Sequence, residues 1–247
     1  MARSYAVFDI DGTLIRWQLF HALADTLAKN GAIDLNSYQS VLGARRNWKG
    51  RGSLNSYVDY EKSLIELIDN SLSEIKYETF VNACSAVFSQ YQDQVYTFTR
   101  DLIAELKRQG YLIFAVSTSP QELVEKVTSY YHFDDCAGTN YEVKDGRLTG
   151  RKRLLIGEAK ANCLTKLIDK HQAEQEGSFA IGDTENDFSM LKIADHPIAF
   201  NPTKEFFSLA QKEGWDIVIE RKNMIYQLKY IHGKYILAPT IGPTIIW

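Results

Sequence analysis

Two aspartates, Asp9 and Asp11, bracket a single residue at the end of the apolar run Tyr5-Ala6-Val7-Phe8, and Gly12 and Thr13 follow at once. Residues two apart on a strand share a face, so both carboxylates start from one side of a strand that must turn, and Gly12 permits that turn. A carboxylate can accept a phosphoryl group as an aspartyl-phosphate, and two carboxylates at one strand tip suit a hard cation. The spacing therefore points to phosphoryl transfer, with nucleophile and cation supplied at one place. Calcium loops also begin Asp-x-Asp, but they need a glycine at position six and flanking helices. Here glycine follows the second aspartate directly and a strand precedes, so that reading fails. Plain turn chemistry also puts aspartate and glycine at strand ends, and the weight then rests on what else the chain carries.

Three further groups follow in order. Leu112-Ile113-Phe114-Ala115-Val116 reads as a strand ending in Ser117-Thr118-Ser119-Pro120. Ser119 is expected to be a helix N-cap, with Pro120 at the first helical position and Glu122 completing a capping box, opening a helix from about Gln121 to Tyr130. Ser117, at the strand tip beside helix-end amides, is placed to donate to an anion. Lys160 lies near the start of an amphipathic helix that carries Ala161, Leu164, Leu167 and Ile168. A first-turn lysine opposes the helix dipole, which suits neutralising a phosphate or a carboxylate cluster better than it suits the helix. Ser178-Phe179-Ala180-Ile181 runs into Gly182-Asp183-Thr184-Glu185-Asn186-Asp187, a density of acids and amides that suits a divalent cation. Asp183, nearest the strand, is the better ligand, and Asp187 is expected one step further from the ion. Each group taken singly also has a plain reading: a strand-end hydroxyl, a solvated lysine, an acid-rich helix start.

The elements that position these residues alternate. Strands near Tyr5–Phe8, Leu112–Val116, Ser178–Ile181, Pro197–Phe200 and Asp216–Ile219 are separated by helical segments from Phe98 onward. That alternation predicts an α/β fold, a parallel sheet with helices on both faces and ligands at the strands' carboxyl ends. Between about Arg16 and Tyr96 the pattern is helical instead, with stripes such as Val81, Cys84, Phe88, Tyr91, Val95 and Tyr57, Tyr60, Leu64, Ile68. Asp145-Gly146 between Thr139–Val143 and Arg147–Thr149 predicts a tight hairpin.

Phe8-Asp9-Ile10-Asp11-Gly12-Thr13-Leu14, Val116-Ser117, Lys160 and Gly182–Asp187 together resemble the four ordered motifs of the haloacid dehalogenase-like superfamily, in the branch typified by phosphoserine phosphatase. Ala199-Phe200-Asn201-Pro202 is similar to the stretch after the fourth, and the resemblance spans about Ala6 to Ile219. It implies a Rossmann-like core over residues 1–16 and 97–247 with an inserted α-helical cap over 17–96, closing the site to water. It implies a Mg²⁺-dependent phosphatase that hydrolyses a small phosphomonoester through an aspartyl-phosphate. Asp9 would attack phosphorus, and Asp11 would protonate the leaving oxygen and then activate water. Ser117 and Lys160 would hold the phosphoryl oxygens. Asp183 would bind Mg²⁺ with the Asp9 carboxylate and the Asp11 carbonyl, and Asp187 would orient the metal's water or Lys160. Gly12, Thr118, Asn186, Gln18, Arg45 and Arg46 are the expected substrate contacts. The charged run Arg45–Gly52 also reads as a solvated loop, and His21 as a further group facing the substrate. Gln18 stands where phosphoserine phosphatases carry an acid for the substrate's ammonium, which argues for a small phosphorylated metabolite other than phosphoserine. A phosphotransferase using the same intermediate, phosphoserine phosphatase proper and a non-catalytic phosphate-ligand binder are the other readings.

Composition agrees. A chain of 247 residues, 45% hydrophobic, holds one large domain or one domain with an insertion. A net charge of −3 without a wide basic face argues against nucleic acid. No run reaches the roughly 18 apolar residues of a membrane span, and no charged-then-apolar leader opens the chain, so a cytoplasmic protein is expected. Cys84, Cys136 and Cys163 have no pairing or metal spacing and read as reduced thiols. The apolar stretch Tyr235–Trp247 is expected to pack on the core, with a subunit contact as the other reading. Nothing in the sequence sets the oligomeric state.

Overall fold

The computed structural model describes residues 3–53 and 55–238, which fall into two compact units. The first comprises residues 3–17, 91–139 and 154–238 and is built on a mostly parallel sheet. Its strands are β1 (Ser4–Phe8), β2 (Leu112–Pro120), β3 (Asp135–Lys144, as far as Thr139), β5 (Glu174–Gly182), β6 (His196–Phe200), β7 (Asp216–Arg221), β8 (Met224–Ile231) and β9 (Lys234–Leu237). They lie in the order β3-β2-β1-β5-β6-β7-β8-β9, parallel up to β7 and antiparallel in the last two.

The alternation of each strand divides the core between two faces. Tyr5 and Val7, with Leu112, Phe114 and Val116, point to one face. There they meet Leu164 and Leu167 of α7 (Glu158–His171), Met190 and Leu191 of α8 (Phe188–Leu191), and Phe206 and Ala210 of α9 (Lys204–Glu213). Phe8, Ile181 and Phe200 point to the other face. Phe98 of α5 (Thr97–Arg108) stacks on Phe200 with ring centroids 5.8 Å apart, and Phe133, after α6 (Gln121–Tyr130), meets Phe8 edge-on. Strands buried on both sides explain why β1 and β2 read as continuous apolar runs.

All five expected strands form, each longer than expected. One expectation gives way, and two strands are added. Ser119 is not a helix N-cap: β2 runs on to Pro120, which pairs with Thr139 and itself precedes the helix. The Ser119 N–H is held by Ser117 Oγ at 3.1 Å, so residue 119 stays extended and the capping box does not form. Strands β8 and β9 were not anticipated, because their alternation mixes lysine, glutamine and tyrosine with aliphatics. Tyr235 lies in β9 and packs on Phe207, as expected of the start of the apolar stretch, and residues 239–247 lie outside the described ones.

The second unit comprises residues 18–53, 55–90 and 140–153. It contains α1 (Leu19–Lys29), α2 (Leu35–Lys49), α3 (Ser56–Ser71) and α4 (Tyr77–Tyr91, as far as Gln90), together with the hairpin that pairs the end of β3 with β4 (Arg147–Arg153). Asp34 caps α2 by accepting from the Ser37 N–H at 2.7 Å. Asp145 and Gly146 both take positive φ, as the two-residue turn requires. The hairpin belongs with the helices rather than with residues 97–247: Leu148 donates to the Ile75 carbonyl, Tyr77 to that of Gly146, and Tyr141 packs on Phe80. Its side-chain pattern is polar on one face and apolar on the other, and Leu148 is the buried anchor.

Candidate active site

The turn after β1 is fixed by its own backbone. Asp9 donates its N–H to Ile181 of β5, and three successive N–H groups, from Thr13 to Ile15, converge on the Ile10 carbonyl. Gly12 has φ +81°, and a Cβ there would lie 2.2 Å from Asp183 Oδ2. No other residue fits, so the glycine serves both the turn and the approach of the two carboxylate loops.

Lys160 is 2% exposed, in the first turn of α7. Its ammonium donates to Asp9 Oδ1 at 2.7 Å and to Asp187 Oδ1 at 2.6 Å. Asp187 ends a single turn of 3-10 helix (Glu185–Asp187), and its other oxygen accepts from the Asp183 and Thr184 N–H groups and the Thr184 hydroxyl. Gly182 allows this, since a Cβ there would meet Asp187 Cβ at 2.5 Å. With both oxygens engaged, Asp187 orients Lys160 and the loop. Asp183 accepts from Thr13 Oγ1 at 3.3 Å. Asp9, Asp183 and Asp187 each offer a carboxylate oxygen within 4.8 Å of the others.

One ammonium among three carboxylates leaves negative charge uncompensated. Burial pushes Asp9 up to about 8; Lys160 pulls against that shift while Asp187 and Asp11 add to it. Burial and then the Asp9 and Asp187 charges hold Asp183 well above the usual carboxylate range. Burial disfavours the Lys160 ammonium, but the Asp187 and Asp9 carboxylates overcome it and keep the lysine firmly charged. An all-oxygen donor set short of positive charge fits a hard divalent cation such as Mg²⁺.

Ser117, fully buried at the end of the apolar part of β2, donates to Asp11 Oδ2 at 3.2 Å. The four expected sequence groups thus converge at the carboxyl ends of β1, β2 and β5. A family model of haloacid dehalogenase-like hydrolases matches residues 6–192, and a second with the same description matches residues 156–230.

The chain belongs to the haloacid dehalogenase-like hydrolases. Within this family it is similar to the phosphoserine phosphatase of Methanocaldococcus jannaschii, 35% identical over 133 residues that cover 53% of this chain and 61% of that protein. It is also similar to a histidinol-phosphatase of Neisseria meningitidis, 23% identical over 87% of this chain and 98% of that one. A solved structure of a phospho-aspartyl intermediate analogue of phosphoserine phosphatase superposes with a TM-score of 0.61 at 25% identity, covering 90% of this chain and 95% of that one. The protein is a haloacid dehalogenase-like phosphoric monoester hydrolase of the phosphoserine phosphatase-like branch. Among the described residues, no helix is long and apolar enough to cross a membrane.

The expected substrate contacts separate. Gly12, Thr118 and Asn186 lie in the α/β unit, and Gln18, Arg45 and Arg46 in the helical one. The Thr118 hydroxyl donates to the Leu155 carbonyl at 3.0 Å and holds the end of β2 to the loop that precedes α7 of the haloacid dehalogenase-like core. Arg45 Nη1 and Nη2 bind both oxygens of Asp25, and its Nε donates to the Tyr60 hydroxyl. His21 is buried edge-on against Tyr60, 3.8 Å from Glu61. Arg46 is exposed, as are Asn186 and, beyond it in the charged run, Lys49 and Arg51. The last two line an open cavity of about 660 Å³ with Trp48, Ser53, Ser56 and Tyr57. Sequence reasoning passed over Thr13 as a site residue. Its place four residues after Asp9 was the available signal, since a one-turn loop brings it back to the strand tip.

Proposed function

We propose that this hydrolase is a Mg²⁺-dependent phosphatase acting on a small phosphomonoester through an aspartyl-phosphate on Asp9. The observation that carries the reading is the buried Lys160 bridging Asp9 and Asp187 with Asp183 alongside. Asp9, Asp183 and the Asp11 backbone would hold Mg²⁺, which when bound supplies charge neutralisation for the attacking carboxylate and the transferring group. An Asp9 oxygen forms the bond to phosphorus as the ester oxygen leaves, and Asp11 gives that oxygen its proton. Asp11 then takes a proton from water, whose oxygen displaces Asp9 and releases phosphate. Lys160 and Ser117 hold phosphoryl oxygens as their charge spreads.

Gly12, Asn186, Gln18 and Arg46 are assigned to the ester. Thr118 and Arg45 are assigned to holding the scaffold together, because their side chains are already engaged. The similarity to both a phosphoserine phosphatase and a histidinol-phosphatase supports a small phosphorylated metabolite, with Gln18 in place of an acid favouring an ester other than phosphoserine. The test is phosphate release from a panel containing phosphoserine, histidinol phosphate and an aryl phosphate, with Mg²⁺ and with chelator. Release should need Mg²⁺ and fall by about 10³-fold or more in Asp9→Asn. Undiminished turnover by a folded Asp9→Asn protein would overturn the mechanism.

A further inference from the structure

Glu220 of β7 is a buried carboxylate, 8% exposed, that takes no part in the chemistry above. Its two oxygens accept from the backbone N–H groups of Thr97 at 3.0 Å and Phe98 at 2.8 Å, the first two residues of α5. A carboxylate at a helix start satisfies donors the helix cannot and complements its dipole. This one comes from a distant strand, so it fixes the helix in place as well as capping it.

What α5 then holds is the turn bearing Asp11 and Thr13. Thr99, fully buried in the first turn of α5, donates its hydroxyl to the Thr13 carbonyl at 2.9 Å, and the Tyr96 N–H donates to the Leu14 carbonyl at 3.0 Å. The Thr13 hydroxyl in turn donates to Asp183 Oδ1. On the far side, the Glu220 N–H donates to Asn201 Oδ1 at 2.8 Å, and two residues on, the Thr203 N–H donates to the Asp183 carbonyl at 3.0 Å. These hydrogen bonds, joined by the short stretches of chain 97–99 and 201–203, therefore close a circuit that leaves Asp183 by its side chain and returns to its backbone, through Thr13, Thr99, Glu220, Asn201 and Thr203.

We propose that Thr99 is a positioning residue for Asp183, acting through Thr13, and that Glu220 holds the helix from which Thr99 acts. The inference rests on the reading that Asp183 holds the divalent cation. A cation with strict ligand geometry needs its carboxylate in one orientation, and the partners of a ligand set that orientation. Among the described residues no cation is hydrogen-bonded to Asp183; Lys160 donates to Asp9 and Asp187 instead. The Thr13 hydroxyl is the side-chain donor given to it, and Thr99 decides where that hydroxyl sits.

The experiment is Mg²⁺ binding to the full chain by titration calorimetry, without any ester, for wild type, Thr99→Val, Thr99→Ser and Glu220→Gln. Valine keeps the volume of threonine and removes the hydroxyl; serine returns it. Thr99→Val should weaken Mg²⁺ binding about 10-fold, the range in which supporting partners of metal ligands act. Thr99→Ser should restore it, and Glu220→Gln, which keeps one acceptor, should fall between. At saturating Mg²⁺ the KM for an aryl phosphate should stay at the wild-type value. Leu102→Ala, which hollows α5 at a fully buried position, is the stability control. Unchanged Mg²⁺ affinity in Thr99→Val, or equal weakening in Leu102→Ala, would overturn the inference. A wild-type chain that takes up no Mg²⁺ would overturn the metal reading itself, and the two failures are thus told apart.

Discussion

Two charge clusters sit inside this protein, one in each unit, and their arithmetic differs. In the helical unit Arg45 meets Asp25 with two parallel bonds, Tyr38 adds its hydroxyl to the same carboxylate, and the Tyr60 hydroxyl accepts from Arg45 Nε. Trp48 lies flat on the Tyr60 ring, 5.3 Å away and 7° from parallel. One cation meets one anion, and every oxygen of the carboxylate is spoken for. In the α/β unit one ammonium faces two carboxylates directly with a third beside them. A balanced knot is finished when the chain folds. An unbalanced one stores a demand for positive charge, and buried groups left with such shifted pKa values mark sites of chemistry. Both clusters carry a cation with close partners, fully buried for Lys160 and partly buried for Arg45; the count of charges and the depth of burial separate scaffold from site.

Removing the cation should break that contrast most sharply. Lys160→Met leaves three crowded carboxylates without their ammonium. Turnover of any phosphomonoester should fall by about 10²- to 10³-fold, as when a preorganised charge partner of the reacting group is deleted. Metal-free protein at pH 8 should lose about 3–5 kcal/mol of stability in urea, the cost of stranding buried charge. The loss should shrink at pH 5, where the carboxylates take up protons. Equal stability loss at both pH values would show that the lysine matters for packing alone.

The helical knot gives the next effect, in stability rather than rate. Arg45→Met strands Asp25 and one bond of Tyr60, for an expected loss of about 1–3 kcal/mol, because the Asp25 side chain keeps 28% of its exposure. Arg46→Ala, one residue away on the exposed side of α2, should cost less than about 0.5 kcal/mol. The kinetic order should reverse. Arg46→Ala should raise KM for the favoured ester while sparing a small aryl phosphate. An Arg45→Met protein as stable as its parent would erase the distinction between the two arginines.

Adjacent arginines with opposite fates show where sequence stops being legible. Asp9, Asp11, Ser117, Lys160, Asp183 and Asp187 could be found because each follows an apolar strand or opens an amphipathic helix, so local pattern alone places it at the carboxyl edge of the sheet. Arg45 is spaced no differently from Arg46, and its partner Asp25 lies 20 residues back on another helix. Only the packing of α1 against α2 and α3 selects it. The same holds for Thr118, whose hydroxyl turns to Leu155, and for Thr99 and Glu220, which reach the site through contacts 86 and 122 residues apart in sequence. The hairpin was legible as a hairpin, from Asp145-Gly146, but its allegiance to the helices depends on Leu148 finding Ile75. Strands β8 and β9, the last two at one side of the sheet, escaped because lysine, glutamine and tyrosine interrupt their apolar residues.

The smallest expected effect is the most direct reading of the charge deficit. Asp9 is raised to about 8 and Asp183 lies well above its ordinary range, both chiefly by burial. A carboxyl group raised on folding binds a proton that the unfolded chain has already lost. Between its unfolded value near 4 and its folded value, stability therefore falls as pH rises. Lys160 is raised as well, but above the ordinary lysine value, so its contribution is constant until strongly alkaline pH. Melting temperatures in chelator should thus decline from pH 5 to pH 8 and flatten above it. Mg²⁺ competes with those same protons, so its affinity should climb over the same window and its binding should release protons to the buffer, measurable by calorimetry in buffers of different ionisation enthalpy. Arg45→Met should leave that proton release untouched, since the balanced knot holds no such proton. Proton release that is absent in wild type, or that vanishes in Arg45→Met, would place the deficit somewhere other than the carboxylates around Lys160.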